Sequence, residues 1–169
     1  METNISKENR EEFKCLLEKL DALYNKGKFD EEKEILSTDV KNLDVNKKIL
    51  LALYIFETDF YTEYLLRNAY FDCLAVLFKS KTPLQEKEAI LLLEGFTVNM
   101  PFCDRIGTKA FLNQIIKQFP KNVSNDFVKA VETFLEKYDG QGLASNQSVQ
   151  HYLDDLKQKT SEYLNNLKA

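Results

Sequence analysis

One histidine and three cysteines set the limit on the chemistry this chain can do. His151 stands near the start of a C-terminal helical segment, beside Tyr152, with Asp155 four residues on, where two side chains can share a helix face. An imidazole next to a carboxylate is the arrangement of a general base, yet surface helices produce such pairs routinely. Cys15, Cys73 and Cys103 are widely spaced, and each sits among apolar or aromatic neighbours. They read as reduced, buried thiols, and no local signature joins one of them to His151 as nucleophile and base. Zinc sites place their ligands in close pairs, whereas the nearest cysteines, Cys73 and Cys103, are thirty positions apart. The adjacent carboxylates Glu11-Glu12, Glu31-Glu32 and Asp154-Asp155 point in different directions on a helix and read as solvated. Gly95, Gly107, Gly140 and Gly142 form neither a phosphate loop nor a dinucleotide fingerprint. The residue types therefore lead us to expect no catalytic residue, metal site, cofactor or small-molecule substrate.

The elements that would position any site are helices. The chain has 169 residues, of which 44% are hydrophobic and 30% charged, with a net charge of −4; this composition belongs to a globular domain and not to a disordered one. Five glycines and three prolines are too few for the many turns of a sandwich or barrel. Basic residues are scattered singly among acids, so there is no electrostatic stripe for nucleic acid. The apolar stretches Ile49 to Phe56 and Ala89 to Leu93 fall far short of the roughly 20 residues of a membrane span. The first residues carry no apolar core with a cleavage site, so the expected location is the cytosol or nucleus.

Periodicity places a first helix over residues 8–25, with Phe13, Leu16, Leu17 and Leu20 on one face. Gly27 stops it, and Asp30 is expected to cap a short helix containing Ile35 and Leu36. The cluster Asp30-Glu31-Glu32-Lys33-Glu34 reads as a first helical turn whose carboxylates face the positive end of the helix dipole. The next helix, residues 45–57, carries Ile49, Ala52, Leu53 and Phe56 and is so apolar all round that it must be sandwiched. The same four-position face returns with Ala89, Leu92, Leu93 and Phe96, after Pro83 opens the helix. It returns again with Phe127, Ala130, Val131 and Phe134, after Ser124 as N-cap. Ile49, Ala89 and Phe127 head these faces at spacings of 40 and 38 residues, the period of stacked helical repeats. Between them Phe71, Leu74, Ala75 and Phe78 match Leu112, Ile115, Ile116 and Phe119, with a fainter echo at Val149, Tyr152, Leu153 and Leu156 in a last helix over residues 146–167.

The segment Ala89-Ile90-Leu91-Leu92-Leu93-Glu94-Gly95-Phe96-Thr97, followed by Asn99, Arg105-Ile106-Gly107, Phe111-Leu112 and Ile115-Ile116, resembles an armadillo repeat. The preceding stretch is similar: Ile49 to Glu57, Asp59, Leu65-Leu66 in the short helix, then Phe71 to Phe78. The resemblance to the armadillo and HEAT family covers roughly residues 46–138. It implies an all-α, short right-handed stack of antiparallel helices in a single domain of residues 1–169. Residues 1–44 would form N-terminal capping helices, 45–138 the repeats, and 139–169 a loop and a C-terminal capping helix; a non-repeat helical bundle is the alternative. The family also implies an inner groove, lined by third helices, that binds peptides or partner domains. Members that bind nuclear-localisation peptides carry an Asn and a Trp there; the matching positions here hold Ile55, Gly95 and Thr133, and Leu51, Leu91 and Lys129. Binding of basic peptides is thus not expected.

The function expected from these readings is a non-catalytic protein–protein interaction module, an adaptor, scaffold or co-chaperone-like chain. It would bind a partner protein on a repeat-helix face through Leu51, Tyr54, Leu91, Glu94 and Lys129. A structural subunit that docks into a larger assembly is the alternative. The aromatic centre, residues 56–71, fills the core on the plain reading; on the sharper one, some of Tyr54, Tyr61, Tyr64 and Tyr70 stay exposed as interface anchors.

Overall fold

The structure, a computed structural model, describes residues 5–57, 61–62, 65–66, 68–79, 84–98, 114–120, 123–140, 158, 161–162 and 164–166. It is mostly helical, as the composition implies, and it divides into two compact units, Met1–Ser80 and Lys81–Ala169. That boundary falls inside the segment 45–138, which the repeat pattern reads as continuous.

In the first unit, α1 (Lys7–Asn25) starts at Ser6, whose hydroxyl oxygen accepts from the Asn9 N–H at 3.1 Å. Phe13, Leu17 and Leu20 are buried on the expected face. Gly27, at φ +72°, ends the helix. Lys28 N–H donates to the Leu23 carbonyl at 2.9 Å and Gly27 N–H to the Tyr24 carbonyl at 3.0 Å, the two bonds of a left-handed glycine stop. The chain then turns straight into α2 (Phe29–Ile35). Lys28 occupies the capping position without a side-chain bond, and Asp30 lies one residue inside the helix. The expectation of an Asp30 cap is corrected: the tight glycine turn starts the helix two residues too early for it.

A π-helical turn, Leu36–Val40, continues α2. Ser37 and Thr38 hydroxyls both donate to the Glu34 carbonyl, at 3.1 and 2.7 Å, crowding the ladder where it widens from four-residue to five-residue bonds. Asp44 caps α3 (Val45–Glu57) by accepting from Lys47 N–H at 2.8 Å. As its all-round hydrophobicity requires, α3 is buried on most of its circumference: Ile49, Leu51, Ala52, Leu53, Ile55 and Phe56 are all in the core. Each such side chain contributes about 1.5–3 kcal/mol by leaving water. Leu65 and Leu66, placed in a short helix by the armadillo resemblance, instead form a two-residue strand opposite Tyr61–Thr62, antiparallel, with Tyr61 facing Leu66 and Thr62 facing Leu65. Tyr and Thr favour extended backbone, and that local preference prevails here. Helix α4 (Asn68–Leu77) packs on α1, α3 and the π-helical turn, burying Tyr70, Cys73, Leu74 and Leu77.

In the second unit, α5 (Glu86–Val98) and α6 (Asn125–Gly140) pack together. Glu88 accepts from the Gln85 N–H at 2.8 Å, the carboxylate half of a capping box. Ser124 caps α6 as expected, accepting from Phe127 N–H at 3.4 Å. The apolar face recurs in burial as it does in sequence: Ala89, Leu92 and Leu93 on α5, Phe127, Val131 and Phe134 on α6. A helical turn at residues 114–117 leads to Phe119, whose ring meets Phe127 edge-on with centroids 5.4 Å apart. Leu84 N–H donates to the Gln118 carbonyl at 3.3 Å. Pro83 and Phe111-Leu112 lie outside the described residues, and the last helix is described at residues 158, 161–162 and 164–166, all helical.

Candidate functional site

The densest chemistry among the described residues is a pair of carboxyl groups on α2 and α4. Of the acidic cluster on α2, Asp30, Glu31 and Glu34 are exposed, as a solvated first turn should be. Glu32 is not: it is 5% exposed, and its buried Oε2 meets no donor. Its neighbour is the carboxyl of Asp72 on α4, close enough to share a hydrogen bond with it. Burial, then Asp72, then Asp21 on α1 push the Glu32 carboxyl up to about 7. Burial also raises the Asp72 carboxyl, while its bond with Glu32 pulls the other way. Two carboxyl groups that close disfavour each other's ionisation, which adds to burial in pushing Glu32 upward.

Beside it, Cys73 is fully buried, and burial together with the Asp72 charge drives its thiol upward. It stays protonated and is no nucleophile at neutral pH. Lys48 on α3 is also buried, and burial, with Lys41 nearby, lowers its ammonium. The expectation of three buried thiols is corrected at Cys15, which is exposed. It lies two positions from Phe13, about 200° around the helix, on the side away from the core.

The five residues expected to bind a partner fall in different environments. Leu51 is fully buried, so it is a core residue and cannot offer a contact surface while the chain is folded as described. Tyr54 is half-buried, its ring tilted against Phe13 at a centroid distance of 5.9 Å. On α5, Leu91 is half-buried and Glu94 exposed; on α6, Lys129 is exposed. Leu51, Leu91 and Lys129 hold the same position relative to the repeated face, and exposure there rises from α3 through α5 to α6. Of the tyrosines considered as anchors, Tyr70 is buried; Tyr64 lies outside the described residues, as do His151, Asp155 and Cys103.

Neither Glu32 nor Asp72 is singled out by residue type. A signal was nonetheless present: Glu32 precedes Ile35 and Leu36 by three and four residues, on their face of α2, and Asp72 interrupts the otherwise apolar run from Ala69 to Phe78. Among the described residues the apolar ring most open to solvent is Phe29, 55% exposed and edge-on to Tyr24 at 5.2 Å. Among the described residues no three His, Cys, Asp or Glu side chains converge as a metal site, and no helix is long and apolar enough to cross a membrane. No protein-family model, curated protein or solved structure matches the chain.

Proposed function

We propose that the chain is a non-catalytic protein-interaction module built on armadillo-like helices, which binds a partner protein through the outward faces of α5 and α6. The observation that carries this reading is the recurrence of one buried face on α3, α5 and α6 combined with rising exposure at the matching outward position, Leu51, Leu91 and Lys129. A helix closed on all sides serves packing. A helix that keeps Leu91 half-open beside an exposed Glu94, next to a helix presenting Lys129, offers an apolar contact with charges of both signs for orientation. Tyr54 serves as an anchor of the first unit, with its ring partly open. The exposed, unbridged Cys15 fits a reducing compartment, the cytosol or nucleus.

The test is affinity capture of the tagged full chain from its own cells, comparing it with a variant carrying Leu91→Asp, Glu94→Lys and Lys129→Glu. Partners of the native chain should fall by about tenfold or more with the variant, the loss expected from disrupting one good interface contact. Equal circular dichroism of the two chains guards against unfolding. An unchanged set of captured proteins would sink the assignment of this face.

A further inference from the structure

We draw no further inference here: the strongest candidate, the surface patch at the turn between α1 and α2 where the exposed ring of Phe29 stands against Tyr24, has exposed charges of both signs beside it, Lys26 and Lys28 before the ring and Asp30 and Glu31 after it, and nothing in the structure shows what covers it.

Discussion

In the first unit, Met1–Ser80, charged side chains lie inside the core: Glu32 and Lys48 are both buried, and Asp72 is half-buried beside Glu32. In the second, Lys81–Ala169, the carboxylates that organise the described helices sit at helix starts. Glu88 accepts from Gln85, and Glu86 accepts from both the N–H, at 3.1 Å, and the hydroxyl of Ser124. A charge at a helix start is stabilised by the dipole and by free N–H groups at little desolvation cost. A charge in the core loses several kcal/mol of hydration and must recover it through a partner or a proton. The same kind of helix, with the same apolar face, thus accommodates ionisable groups in two ways: inside the core in one unit, at the helix starts in the other.

The contrast is sharpest if the apolar cores of both units contribute alike. Phe127→Ala in the second unit should cost about 3–5 kcal/mol, and Leu17→Ala in the first about 2–5 kcal/mol, in denaturant unfolding. A loss below about 1 kcal/mol for Phe127→Ala would mean that caps, and not burial, dominate the second unit. Next in size are the helix ends. Ser124→Ala removes the cap of α6 and the hydroxyl half of its clasp with Glu86, for about 1–2 kcal/mol; Gly27→Ala forces a side chain into φ +72° and should cost about 1–2 kcal/mol. Amide exchange at the starts of α6 and α2 would locate each loss. Smallest is the ion pair between Lys47 and Glu12, 3.0 Å long with both groups well exposed. Lys47→Ala should cost less than about 1 kcal/mol and nothing measurable in molar salt.

Much of the helical framework was legible because it follows from spacing. The Phe13, Leu17, Leu20 stripe, the glycine stop at Gly27, the Ser124 cap and the three recurrences of the buried face all depend on local chemistry that a sequence displays. The carboxyl pair was not legible in that way. An acid on an apolar face looks solvated until a helix forty residues later brings another acid against it, and only tertiary packing makes that meeting. The strand pair at Tyr61–Thr62 and Leu65–Leu66 departs from the family pattern for a different reason: the extended preference of Tyr61 and Thr62 outweighs it locally. The repeat position of Leu51 points to a contact face, but repeat position does not say how many neighbours cover a helix, and α3 is covered almost entirely.

The π-helical turn gives the segment that begins at Glu32 its alignment. Glu32, Leu36 and Val40, spaced by four residues, are all buried. In an α-helix four residues advance about 400°, so a side chain four positions on is rotated about 40° past its predecessor. A widened turn advances less per residue and takes that rotation back between Leu36 and Val40. The extra backbone width is thus a phase correction, which keeps an acid and two aliphatic side chains in one line along a segment of two different pitches. Deleting one residue from Leu36–Val40 would restore a uniform helix and destroy the alignment, swinging either Val40 or Glu32 toward water.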